Sequence, residues 1–135
     1  MKKNIFISFL LLMSLFLMVS CSAETTAEKN ISPDAVFTAT FIINLDQPVE
    51  NDIYIMGDFN NWVPGDEMYR ASKKDDYTYE VTLQNKYAKK IEYLYNQGNI
   101  FTIEADSFGD ERENRTYTFD FNNDQKEDYV SGWTN

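Results

Sequence analysis

The sequence predicts an all-β fold, an immunoglobulin-like antiparallel β-sandwich of about seven strands, and three observations carry that expectation. Apolar and polar residues alternate with period two in short runs beyond residue 34. Clusters of Asn, Asp, Gly and Pro separate the runs. No window beyond residue 21 sustains an apolar stripe at helical spacing. Aromatics supply 16 % of the 135 residues, too many for a disordered acidic tail, so a packed core is expected. That length suits one domain of ordinary size.

Each element follows from its own residues. Phe37, Ala39, Phe41, Ile43 and Leu45 alternate with Thr38, Thr40, Ile42 and Asn44, which marks a half-buried strand. Ile53 to Met56 forms a second, ended by Gly57-Asp58. Tyr77, Tyr79, Val81 and Leu83 define a third; Ile91, Tyr93 and Tyr95 define a fourth. Ile100 to Ile103 is a shorter candidate, Thr116 to Phe121 alternates again, and Tyr129-Val130 closes the sheet. Tyr93 and Tyr95 read as core, and Trp133 as packing of the last strand.

Residues 1–20 read as an address. Met1-Lys2-Lys3 is a basic start, and Ile5 to Val19 is apolar apart from Ser8 and Ser14. Fifteen residues at ~1.5 Å each span about 22 Å as a helix, short of the ~30 Å hydrocarbon core. The stretch therefore reads as a secretory signal peptide. Met18-Val19-Ser20-Cys21 resembles the bacterial lipoprotein signal, although Met18 departs from the usual Leu. That resemblance implies cleavage before Cys21, lipid on its thiol and amino group, and a membrane partner on the periplasmic or cell-surface side. Cys21 has no second cysteine to pair with. Residues 21–33 are polar and patternless, a flexible tether to a domain at 34–135.

Composition excludes several chemistries. With no histidine, there is no Ser-His-Asp couple, no imidazole acid/base and no His-ligated zinc. The formal charge is −10, and removing the signal takes away Lys2 and Lys3 but no acid. Such a surface repels phosphate, so no nucleic-acid partner is expected. No cofactor is implied. Asp120-x-Asn122-x-Asp124-x-x-x-Asp128 has the oxygen spacing of a calcium loop, but Gln125 stands where the turn needs Gly. A solvated hairpin loop is the better reading, and no metal site is expected.

Gly57-Asp58-Phe59-Asn60-Asn61-Trp62 is the most specific motif. It resembles the Gly-x-Phe-Asn-x-Trp element of the glycogen-binding modules of AMP-activated kinase β subunits, and of the N-terminal modules of branching and debranching enzymes. Ile91-Glu92-Tyr93-Leu94-Tyr95 is similar to the Phe-Glu-Tyr-Lys-Tyr strand of glucoamylase starch-binding modules. Glu104-Ala105-Asp106, Asn114-Arg115-Thr116-Tyr117-Thr118 and Val130-Ser131-Gly132-Trp133 resemble later elements of the same modules in the same order. The resemblance runs from about residue 35 to the C-terminus.

That resemblance implies a non-catalytic module holding an α-glucan such as starch, glycogen or a maltooligosaccharide. A flat indole suits the aliphatic face of a pyranose, and amides then fix its hydroxyls. The implied site is Trp62 with Asn61, Asn114, and Phe101 near the family's second aromatic. The family's Lys falls on Leu94, which donates no hydrogen bond. Other roles stay open: Trp62 as a core residue at a strand end, Asn114 as a turn cap. A second reading is an envelope protein-interaction module of the same fold that has lost its sugar site. No pair of acids is fixed across a cleft, so an enzyme is not expected. If Cys21 carries lipid, Cys21→Ala should move the protein from the detergent phase to the aqueous phase in Triton X-114 partitioning. Unchanged partition of a correctly processed mutant would contradict the anchor.

Overall fold

The computed structural model describes residues 30–134; the expected signal peptide, Cys21 and most of the tether lie outside the described residues. Among these residues the chain forms nine strands: β1 (Val36–Leu45), β2 (Tyr54–Gly57), β3 (Ser72–Lys73), β4 (Thr78–Lys86), β5 (Lys90–Asn96), β6 (Glu104–Ala105), β7 (Arg115–Thr118), β8 (Asp124–Val130) and β9 (Gly132–Trp133). One sheet has the order β3-β4-β1-β8, a second the order β2-β5-β7, and β6 pairs with β9. The fold is an all-β sandwich. Ile31 and Ala35 already pack on its core. No described helix is long and apolar enough to cross a membrane.

The alternation read in the sequence is the alternation of burial. Along β1, Phe37, Ala39, Phe41, Ile43 and Leu45 face inward while their neighbours stay partly solvated. Opposite them lie Ile91, Tyr93 and Tyr95 of β5, all fully buried. Phe41 meets Tyr93 and Tyr117 edge to face, each at 5.1 Å between ring centroids, the arrangement their quadrupoles favour.

One pairing is added to the antiparallel sandwich, and two expectations are corrected. β1 runs antiparallel to β4 but parallel to β8, so the four-stranded sheet is mixed; side-chain alternation carries no information on strand direction. Ile100 to Ile103 is not a strand. Ile100 and Phe101 sit in a turn, and only Ile103 makes a bridge, to Asn96. The stretch Asp120 to Asp128 is not a hairpin loop: its second half is β8. Asn122 Oδ1 accepts from the Thr38 N–H and Asp124 accepts from the Tyr117 hydroxyl, while Asp128 is buried. Asn122, Asp124 and Asp128 thus each serve different protein donors.

Asp128 belongs to a buried ionic cluster that joins all three sheets. Arg115 of β7 grips Glu104 of β6 through Nε at 3.0 and 2.9 Å and through Nη2 at 2.8 Å, and reaches Asp128 of β8 through Nη1 at 3.1 Å. The Tyr93 and Tyr95 hydroxyls both donate to Asp128, at 2.6 and 2.9 Å. The Tyr95 N–H donates to Glu104. Burial opposes the charge on Asp128, but the tyrosine hydroxyls, Arg115 and Lys126 outweigh it and hold its carboxyl below the usual value. Burial likewise drives the Tyr93 and Tyr95 hydroxyls upward, so they remain protonated donors.

The sign of the pH dependence follows. A carboxyl whose folded pKa lies below its unfolded value stabilises the fold above that unfolded value, and loses the contribution as pH falls through the folded one. Wild type should therefore lose urea resistance below about pH 4. Asp128→Asn should be less stable at pH 7 by about 1–3 kcal/mol, because the Tyr93 and Tyr95 hydroxyls and Arg115 Nη1 lose their charged acceptor while Glu104 still compensates Arg115, and should show a smaller further loss in acid. Parallel acid limbs for the two proteins would count against this role.

Candidate functional site

The outer face of β2-β5-β7 carries the candidate site. On β5 the inward residues are Ile91, Tyr93 and Tyr95, so Glu92 and Leu94 face outward. Leu94 pairs with Met56 of β2. Extending the β5–β7 register by one residue beyond Tyr93 and Arg115 brings Asn114 opposite Leu94. Met56, Leu94 and Asn114 form the floor of a shallow groove of about 250 Å³, walled by Trp62, Ile100 and Ile103.

The Trp62 wall explains most of its motif in structural terms. Gly57 is needed because a Cβ would strike the Glu92 carbonyl oxygen and the Phe59 ring. Phe59 packs against Tyr69, 4.9 Å between ring centroids, and onto the core. Asn60 is buried: its Oδ1 accepts from the Gly57 N–H at 3.0 Å and its Nδ2 donates to the Val63 carbonyl at 3.1 Å. Asn61 and Trp62 then take positive φ, 56° and 59°, which turns the chain sharply. The Trp62 N–H closes the turn on the Gly57 carbonyl at 2.9 Å. Trp62 ends half-buried, with its side chain on the groove.

The structure brings Trp62 and Asn114 to one groove and sets Asn61 apart. Asn61 is exposed at the turn and does not line the groove. Asn114 is exposed, and its Nδ2 donates to Glu92 Oε2 at 3.1 Å. Phe101, 76 % exposed, lines an adjoining depression that shares Leu94, Ile100, Ile103 and Asn114. Its turn is held by Asn99 Oδ1, which accepts from the Phe101 N–H, and by the Thr134 hydroxyl, which donates to the Phe101 carbonyl.

Asn96 is the residue that sequence reasoning missed. It is fully buried at the end of β5, and its Oδ1 accepts from the Gly65 N–H at 3.1 Å and the Gly98 N–H at 2.9 Å. Those glycines stand in the two loops that wall the groove, so one side-chain amide ties the walls together. Gly65 has φ +65°, and a Cβ there would meet the Gly98 backbone. The turn cluster Asn96-Gln97-Gly98 was the available signal.

No family model matches the chain. Over 71 residues it is 31 % identical to an alpha-amylase of Niallia circulans, a match covering 53 % of this chain and 6 % of the amylase. A solved glycoside hydrolase family 15 glucoamylase from Hypocrea jecorina aligns with TM-score 0.53 and 19 % identity, over 77 % of this chain and 18 % of that one. The chain shares its fold with part of a glucoamylase. It spans only a small share of the length of either protein.

Replacing Asn96 tests the coupling of the walls. Asn96→Ala removes the acceptor of two backbone donors and should cost about 1–3 kcal/mol in unfolding free energy. In a Trp133→Phe background it should also shift the Trp62 emission to the red. A loss of stability with unchanged emission would show that Trp62 is positioned independently of Asn96.

Proposed function

We propose that this chain is a non-catalytic module that binds α-glucan, carried on a lipid anchor at Cys21 on the outer side of a bacterial membrane. The observation that carries the reading is that Trp62 and Asn114 line one shallow, largely apolar groove on the outer face of β2-β5-β7. An open groove suits a chain that enters from the side and leaves again; an indole supplies area at little entropic cost. The likeness to an alpha-amylase and a glucoamylase, both starch-degrading by name, supports an α-glucan as the sugar. The module's place in the envelope is to hold polysaccharide near enzymes or transporters supplied by other chains.

The acids do not argue for hydrolysis. The two buried carboxylates, Glu104 and Asp128, are both engaged by Arg115. Glu104 borders the depression beside the groove, but both of its oxygens are taken by Arg115, and Asp128 lines neither hollow. One observation favours the second reading, an interaction module for an envelope protein: Leu94, Ile100 and Ile103 make the groove apolar where a hydroxyl-binding cation would be useful.

Affinity electrophoresis in amylopectin gels separates the two. Wild type should be retarded, and Trp62→Ala should run free while keeping its near-UV circular dichroism. Binding of a short maltooligosaccharide should be weak, with a dissociation constant on the order of a millimolar, about −4 kcal/mol. Unretarded wild type would favour the protein-interaction reading. Unfolding of Trp62→Ala would mean that the indole is core.

A further inference from the structure

Beyond Trp62 and Asn114 the groove widens into a depression of about 380 Å³, and its far side is charged. Leu94, Ile100, Ile103 and Asn114 line both parts, so the surface is continuous. The far side carries Phe101, Glu111 and Arg112. Glu111 and Arg112 follow a turn closed by Asp106, whose Oδ1 accepts from the Phe108 N–H at 2.8 Å and the Asp110 N–H at 3.0 Å. A bridge between Ala105 and Glu111 ties the end of that turn to β6. The pair therefore stands on fixed backbone.

The bonding state of Arg112 differs from that of Arg115. Arg115 is almost enclosed and saturates Glu104 with three contacts. Arg112 makes one long contact to the same carboxylate, Nη1 to Oε2 at 3.3 Å, and its side chain stays one-third exposed (33 %). A guanidinium has five N–H donors, so most of those on Arg112 have no partner among the described residues, and the residue lines the depression. Glu104 does not depend on Arg112 for compensation.

We propose that Arg112, with Glu111 beside it, is the hydroxyl-reading pair of the glucan site and supplies the charged donor that Leu94 withholds. The inference rests on the α-glucan reading and assigns its polar half. Two adjacent hydroxyls of a pyranose accept in parallel from the planar fork of Arg112, and Glu111 accepts from a hydroxyl of the same sugar. Phe101 offers its exposed ring to the neighbouring unit. The ligand is a neutral sugar: Glu111 at the rim and a formal chain charge of −10 both disfavour one that carries carboxylates.

The test compares wild type, Arg112→Gln, Arg112→Lys and Trp62→Ala, titrated calorimetrically with maltoheptaose and run in amylopectin gels. Arg112→Gln should weaken maltoheptaose binding about tenfold or more, the loss expected for a hydrogen bond from a charged donor. Its urea midpoint should stay close to wild type, which a merely structural role would not allow. Arg112→Lys should recover part of the affinity, since it restores the charge without the fork. Wild-type affinity in Arg112→Gln, with binding lost in Trp62→Ala, overturns the role of Arg112 and leaves the glucan reading standing. A loss of affinity in Arg112→Gln matched by a fall in urea midpoint overturns it in favour of a structural role. Wild type that binds neither sugar overturns both.

Discussion

Arg115 is the constraint on which the rest of the domain depends. Its side chain is 11 % exposed, and its guanidinium stands between two carboxylates that are almost wholly buried. Burying either acid alone would cost several kcal/mol, so the three charges are stable only together. Their elements belong to three different sheets, and each sheet is thereby fixed relative to the others. The Tyr95 ring adds a face to the cation at 5.6 Å. Tyr93 and Tyr95 complete the cluster from below, which is why a core of aromatics can contain three charges. The site inherits its geometry from this cluster. Asn114 immediately precedes Arg115, and Phe101 lies three residues before Glu104.

Strands with one wet face were legible because period-two alternation is what a half-buried sheet imposes on composition. β1, β4 and β5 follow that rule, and the core tyrosines of β5 followed with them. β8 was obscured. Its residues Asp-Gln-Lys-Glu-Asp-Tyr-Val look like a solvated loop, and its inward aspartate is acceptable only because Arg115 and two tyrosines wait for it. Such compensation comes from residues far apart in the chain, and local pattern cannot report it. Ile100 to Ile103 fails in the opposite sense. Those apolar residues mark a groove wall rather than a strand, and apolar content alone does not distinguish the two.

The site was legible in part for the same reason. Trp62 and Asn114 reach one groove because the sheet register sets Asn114 across from Leu94. Asn61 does not line that groove: within Gly-x-Phe-Asn-x-Trp, Gly57, Phe59 and Asn60 build the turn and Trp62 alone reaches the groove. Glu104 and Arg115, which resemble family motif positions, are structural charges here. A motif can thus persist because it makes the fold. Its presence is weaker evidence for a ligand than the exposed side chain it delivers.

Leu94 then acquires a physical meaning. A lysine at the centre of the sheet face would place its ammonium over a floor otherwise made of Met56 and flanked by Ile100 and Ile103, and would have to remain hydrated to avoid a desolvation penalty. A leucine there makes the floor continuous with the indole and leaves the charged side chains, Glu111 and Arg112, to the rim of the adjoining depression. Stacking on such a floor is tolerant of register, because successive sugars in a polymer present similar apolar faces. On the α-glucan reading proposed above, a long polymer would offer many overlapping ways to bind, and dissociation from one register would be followed by capture in the next. On that reading, a weak site of this kind would favour retention on polymer over recognition of any one oligosaccharide, and the apolar side chain of Leu94 at its centre would set that preference.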